Sequence, residues 1–205
     1  MYQPAQFRST DPAIAAELMR AHPLASLVST DDAGFPYVSH LPLHLAGEAA
    51  APVLLGHCAR ANPQWQYLAQ RPEALVTFMG PQGFLSPKIY PDLQRVPSWN
   101  YLAVHCRVAA RLIDDAAGKY ALLKKLITDH EPTYAAQWRG LGAAYQNQML
   151  GNIVAFELTV TDLQCTLKLN QHRPESHAAM KAAYAVGSDL ERALARWMDR
   201  LGLGQ

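Results

Sequence analysis

The chain has 205 residues, half of them hydrophobic and 17% charged, with a formal net charge of +1. That composition describes a folded protein rather than a disordered one, and the near-neutral balance excludes a global basic field of the kind that drives non-specific nucleic-acid binding. Cys58, Cys106 and Cys165 form no CxxC pair and sit among apolar residues, so no metal site or disulfide framework is expected and the thiols read as buried groups in a reducing compartment.

In chain order, MYQPAQFRSTD lacks an apolar signal core, and no later run approaches the roughly 18–20 apolar residues of a membrane span. A cytoplasmic protein without a membrane partner is the expectation. Asp11 as cap and Pro12 in the first turn open a helix with an Ile14–Leu18 stripe that stops at Pro23. LASLVST (24–30) and YVSHLPLHL (37–45) read as strands joined by the turn DDAGFP. A small loop, GEAAAP (47–52), leads to the strand VLLGHC (53–58), then to a helix with Asn62 as cap and Pro63 as first residue.

EALVTFMG (73–80) reads as a strand, and 81–98 as a proline-rich loop. WNYLAVHCRVAARLID alternates, with Leu102, Val104, Cys106, Val108, Ala110 and Leu112 on one face and His105, Arg107 and Arg111 on the other. Helices are expected at about 117–130 and around 143–150, and NIVAFELTV is a further strand. The C-terminus reads as a helix with a Ser188–Glu191 capping box and a stripe of Leu190, Leu194, Trp197 and Leu201. Several strands with few long helices between them argue for an antiparallel barrel with peripheral helices, not a parallel α/β sheet. The length suits one domain, with residues from about 174 to 205 as a helical extension.

Four clusters carry chemistry. LLGHCARANPQW (54–65) crowds a glycine, a histidine, an arginine and an asparagine where a strand meets a helix N-terminus. Unpaired N–H groups and the helix dipole suit a phosphate there. Gly56 would let a ligand approach the backbone, and His57, Arg60 and Asn62 would add donors; an ordinary strand-to-helix junction is the competing reading. Ser39-His40-Leu41-Pro42 places a proline in a strand, which belongs at an edge or a bulge where a planar ligand could lie. His40 and His44, taken on one strand, would stand about 13 Å apart, too far to grip one metal ion. VPSWNY (96–101) sets Trp99 and Tyr101 on the face of His105 and Arg107, as a stacking surface or as interface packing. Lys168-Leu169-Asn170-Gln171-His172-Arg173 is an anion contact or a solvated junction. GxGxxG, GxxxxGK[ST], GxSxG and HExxH are all absent, so no catalytic residue is assigned.

Taken in order, MYQPAQF, SHLPLHL, GHCARANPQW, the GP of GPQGFLSP, VPSWNYLAVH, GNIVAFEL and KLNQHRP resemble the PaiB family of FMN-binding negative transcriptional regulators, almost end to end. The resemblance implies an FMN-binding split β-barrel of the pyridoxamine-phosphate-oxidase type, an antiparallel Greek-key-type barrel. It also implies a homodimer with FMN in the subunit interface. It places the flavin ring and ribityl chain along Ser39, His40, Leu41 and Pro42, and the phosphate near His57, Arg60 and Asn62. Trp99, Asn100 and Lys168 of the second subunit would close the pocket. DNA or another regulator is the implied partner. Where the family reads GPHAYVSPSWYP-like sequence this chain has GPQGFLSPKIYP: Gln82 replaces a histidine, and Lys88-Ile89 a Ser-Trp pair. Two alternatives stay open: a flavin- or haem-linked oxidoreductase using His40, His57 or His105, and a split barrel that has lost its flavin.

Overall fold

Eight strands and seven α-helices follow one another in the computed structural model, which describes residues 1–48, 51–92 and 94–204. Residues 49 and 50 of the expected 47–52 loop, residue 93 of the expected 81–98 loop and the last residue of the C-terminal extension lie outside the described residues. The strands are β1 (Arg8–Ser9), β2 (Leu24–Thr30), β3 (Pro36–Pro42), β4 (His44–Glu48), β5 (Ala51–Ala59), β6 (Glu73–Leu85), β7 (Ser98–Ile113) and β8 (Ile153–Lys168). The helices are α1 (Pro12–Ala21), α2 (Gln64–Gln70), α3 (Ala116–His130), α4 (Tyr134–Gly140), α5 (Ala143–Gly151), α6 (His177–Ala185) and α7 (Asp189–Arg200). The sheet order is β3-β2-β6-β7-β8-β5-β4, with β1 paired to β8, and the registers of β2 with β3 and β6, of β5 with β4 and β8, and of β1 with β8 are antiparallel. The chain divides into two compact units, one of residues 1–21, 79–105 and 164 onward, the other of 22–78 and 106–163.

In the second unit the β2–β3 hairpin closes as its turn residues dictate. The Asp31 carboxylate accepts the Ala33 and Phe35 N–H groups at 2.9 and 2.8 Å, and Gly34 takes φ +81°. The strand expected over 37–45 is broken at Leu43, whose N–H donates to the Pro23 carbonyl at 2.9 Å. Pro42, with no N–H to give, ends β3 at the sheet edge. Leu27, Leu54, Val76, Phe156 and Leu158 are among its buried core residues. Gly56 belongs to that core. A Cβ there would lie 2.4 Å from Leu43 Cδ2 and 2.9 Å from Phe156, so the glycine admits packed side chains and not a ligand, which corrects the sequence expectation.

The stretch between β7 and β8 holds the two helices expected there and also α4. Gln146 Nε2 fastens α4, donating to the carbonyls of Trp138 at 2.7 Å and Leu141 at 3.1 Å. Those bonds come from tertiary contacts, and a seven-residue helix has too little local signal to be read from sequence.

In the first unit, Asp11 caps α1 by accepting the Ala13 N–H at 2.8 Å. The expected 81–98 loop is strand as far as Leu85. Gly83 makes this feasible: a Cβ there would meet Glu191, Leu194 and Tyr184 at 2.8, 3.1 and 3.3 Å, so the C-terminal helices lie directly on its backbone. The Ser188–Glu191 capping box is formed. The buried stripe of α7 is Leu194, Ala195 and Met198, whereas Leu190 is 45% exposed. NIVAFELTV is only the first part of a 16-residue strand that continues to Lys168. Beyond it Asn170 takes φ 60° and donates to Ser176 Oγ at 2.8 Å and Tyr90 Oη at 2.9 Å. His177 Nε2–H donates to the Asn170 carbonyl at 3.0 Å. The 168–173 junction is thus a buried hydrogen-bonded knot at Asn170 and not a solvated turn.

All three cysteines are buried and outside any disulfide, and burial pushes the Cys58 and Cys165 thiols up to about 11. Gly56→Ala is expected to destabilise the protein by about 1–3 kcal/mol through overpacking against Leu43 and Phe156. Urea unfolding checks this: the midpoint should fall at constant slope, and an unchanged midpoint would show that the neighbours yield freely.

Candidate functional site

The corner between β5 and α2 is built around two side chains that leave in different directions. Asn62 Oδ1 accepts the N–H of Gln64, the first residue of α2, at 3.0 Å, and also accepts the Tyr37 hydroxyl at 3.2 Å; Pro63 takes the cap position, one residue later than expected. Its amide donates one N–H to Ser39 Oγ at 3.0 Å. Beside it Gln64, fully buried, donates to Ser29 Oγ at 2.6 Å and leaves Oε1 without a partner. Asn62 therefore ties the corner to β3.

Arg60 ties it to β8. Its Nε donates to the Gly151 carbonyl at 2.8 Å, and Nη2 to Asp114 at 2.6 Å and to the Ile153 carbonyl at 3.3 Å. The Arg60 carbonyl accepts the Trp65 indole N–H at 3.0 Å, and the guanidinium lies 5.8 Å from the Trp65 ring. Asp114 also binds the buried Lys119 at 2.6 Å, and the hydrogen bonds from Lys119 and Arg60 hold its carboxyl below the usual carboxylate range. Arg60 Nη1 remains outside these bonds.

His57 precedes both on β5. Strand alternation puts it on the face of Leu55, opposite Ala155 in register. Its Nδ1 is buried without a partner, and burial lowers its pKa, so the imidazole is neutral near pH 7. On β3, Ser39 is buried, while His40 points outward and bonds Ser26 Oγ through Nδ1 at 3.1 Å. Leu41 is half-buried and Pro42 exposed. Of the residues expected at the site, the structure joins Ser39 to Asn62, turns Arg60 away from them, and sets His40 on the opposite face from Ser39.

Trp99, Asn100 and Lys168 belong to the first unit. Trp99 is 47% exposed yet held: its indole N–H donates to Gln82 Oε1 at 3.1 Å, and Phe84 meets the ring edge-on at 6.0 Å. Lys168 Nζ donates to Ser98 Oγ at 3.0 Å and lies 5.8 Å from the Tyr101 ring. Asn100, one position from Trp99, points inward. Its amide donates to Tyr184 Oη and Met180 Sδ, both at 3.0 Å, and Oδ1 is buried without a partner. Burial, the largest influence, pushes the Tyr184 hydroxyl up to about 12.

The sequence offered no sign of Tyr37, Gln64, Asp114, Lys119 or the Gln82–Trp99 bond. Gln64, Gln82 and Trp99 stood inside stretches already singled out, while Tyr37 and Asp114 act through partners distant in sequence. Among the described residues no group of three or more His, Cys, Asp or Glu is arranged to hold a metal ion, and no helix is long and apolar enough to cross a membrane. A phosphomonoester needs N–H and O–H donors with a cation. The second unit offers the Ser39 hydroxyl, the second Asn62 N–H, Arg60 Nη1 and the partnerless His57 Nδ1. This donor set fits the phosphate of FMN in chemical type.

The family described as "Putative FMN-binding domain" matches residues 1–162. The protease synthase and sporulation protein PAI 2 of Bacillus subtilis (strain 168) is 30% identical over 178 residues, which cover 86% of this chain and 84% of that protein. Among solved structures, the flavocytochrome Anf3 from Azotobacter vinelandii shares the fold with a TM-score of 0.64 at 17% identity, over 80% of this chain and 70% of that one. The FAD and heme binding protein from Mycobacterium smegmatis does so with a TM-score of 0.58 at 21% identity, over 78% and 73%. The antiparallel fold expected from the sequence, a flavin-binding split barrel with helices, is borne out. Through the match over residues 1–162 and the kinship to PAI 2, the chain belongs to the PaiB family of FMN-binding-domain proteins.

Proposed function

We propose that the protein binds FMN as a homodimer in the cytoplasm and acts, as PAI 2 kinship suggests, in the control of gene expression. The observation that carries the cofactor reading is that the family match encloses the whole Ser39–Asn62 corner, whose donors suit a phosphate. Residues 1–205 would serve as one cofactor domain with 174–205 as its helical extension. Bound FMN supplies a two-electron redox centre. In this reading Ser39, His57, Arg60 and Asn62 hold the phosphate, and β3, at the sheet edge, offers the backbone of Ser39, His40, Leu41 and Pro42 to the ring. Trp99 and Lys168 of a second copy cover it, and Asn100 anchors that copy's strand to α6.

The homodimer is supported by the outer face of β3, β2 and β6 within the second unit. Alternation and register set Pro36, Val38, His40 and Pro42 beside Leu24, Ser26, Val28 and Thr30, with Leu75 and Thr77 next. That face is uncharged apart from Glu73, which stands past Leu75 at its Thr30 end, and Leu24 and Val38 are 67% and 48% exposed. Large uncharged sheet faces are covered by partners, and a self-matching face suits two-fold symmetry.

Titration of the purified protein with FMN, followed by visible absorbance, is expected to saturate. Arg60→Leu and Ser39→Ala should each weaken FMN by about tenfold with little effect on riboflavin, since a hydrogen bond to a charged group contributes about 1.5–3 kcal/mol. A protein that stays colourless at high-micromolar FMN would sink the cofactor reading. Val38→Asp should convert the dimer to monomer in analytical ultracentrifugation; a dimer that persists places the interface elsewhere. The regulatory role is checked by salt-dependent retention of mapped DNA fragments, where absence of sequence-selective retention argues against direct DNA contact. Turnover of nicotinamide donors by the bound flavin would favour an oxidoreductase instead.

A further inference from the structure

The helices α3 to α5 form one excursion, residues 116–151, between β7 and β8. Arg60 ties both of its ends, through Asp114 before α3 and through the Gly151 and Ile153 carbonyls after α5. Along its length Leu122 and Leu126 pack with Ala155, and Leu55, Ile113 and Leu123 border that cluster.

The far end of α3 has a different tie. Asp129 and His130 occupy its last turn and meet His44, the first residue of β4. His44 is 6% exposed; its Nδ1 lies 3.3 Å from Asp129 Oδ2, and its ring meets that of His130 edge-on at 4.7 Å. The charged and titratable groups acting on His44 are Asp129, His130 and Lys125, all from α3, while its register partner on β5 is Leu55. We infer that His44, Asp129 and His130 form an acid-released clasp that holds the end of α3 against β4 at neutral pH and frees the 116–151 segment on acidification.

At neutral pH the buried imidazole donates its Nδ1–H to the Asp129 carboxylate, and no new charge is buried. Acidification adds a proton to each imidazole. The single Asp129 carboxylate must then offset His44, His130 and Lys125 together. Burial first, then His130 and Lys125, lower the His44 pKa, opposed by Asp129. A folded-state value below the unfolded one means that the docked form is favoured above about pH 6.5 and loses that advantage as pH falls through it and below.

Hydrogen–deuterium exchange of the full chain at about pH 7.5 and about pH 5.5, corrected for intrinsic rates, tests the clasp across the range where imidazoles titrate. Protection of α3 to α5 is expected to fall several-fold at the lower pH while β5 and β8 keep theirs, because the docked His44 binds its proton more weakly than the free imidazole. His44→Gln keeps a donor for Asp129 without titrating and should abolish the change. His130→Leu, which leaves the buried residue intact, should shrink it by removing one of the charges that oppose His44 protonation. Asp129→Asn should move release to higher pH. Equal protection at both pH values overturns the inference, as does loss shared by the sheet, or an undiminished change persisting in both histidine variants.

Discussion

Everything about this chain turns on how the β5–α2 corner satisfies its polar groups. A strand that stops at Ala59 and a helix that starts at Gln64 leave carbonyl and N–H groups unpaired within a few residues, and buried backbone groups without partners are costly. Arg60 and Asn62 resolve this in opposite directions. The guanidinium reaches across to Gly151 and Ile153 and closes the base of the helical excursion with Asp114, while the Asn62 amide accepts the first N–H of α2 and clasps Ser39 on β3. One short segment thereby joins β3 and α2 on one side to β8 and α3 on the other.

That economy shapes what the corner can do for a ligand. A phosphate would not enter a vacant nest of donors; it would share groups that already hold the fold. Arg60 is fixed by three acceptors before any ligand arrives, which removes the entropy of ordering a long side chain and leaves Nη1 as its free edge. The same logic holds in the first unit, where an exposed Trp99 is held by Gln82 and Phe84. An aromatic ring fixed from behind is suited to stacking because little freedom remains to be lost. Gln82, at the position where the resemblance leads one to expect a histidine, holds the Trp99 indole without being titratable.

Cysteine and histidine chemistry follow burial rather than motif. The thiols are buried, with Cys58 and Cys165 far too weakly acidic to act as nucleophiles near neutral pH. His44, four residues after His40, belongs to a different strand and a different environment, because Leu43 breaks the ladder between them.

Much of the architecture was legible in local pattern. Alternation marked β7 and the start of β8, the Asp11 and Ser188 caps marked α1 and α7, and the DDAGFP turn marked the hairpin, because each depends on neighbours within four residues along the chain. The ends of β6 and β8, the helix α4 and the break at Leu43 were not legible, since each is decided by a partner far away: Leu194 over Gly83, Gln146 beneath Trp138, Pro23 beside Leu43. At the corner the sequence by itself determined which donors are present and that a helix would start beside Asn62. Only the tertiary structure decided that Gly56 makes room for Leu43 and Phe156, and that Arg60 and Asn62 point apart. Residue type and spacing dictate local hydrogen bonds, but the direction of a long side chain is set by acceptors that folding brings from elsewhere.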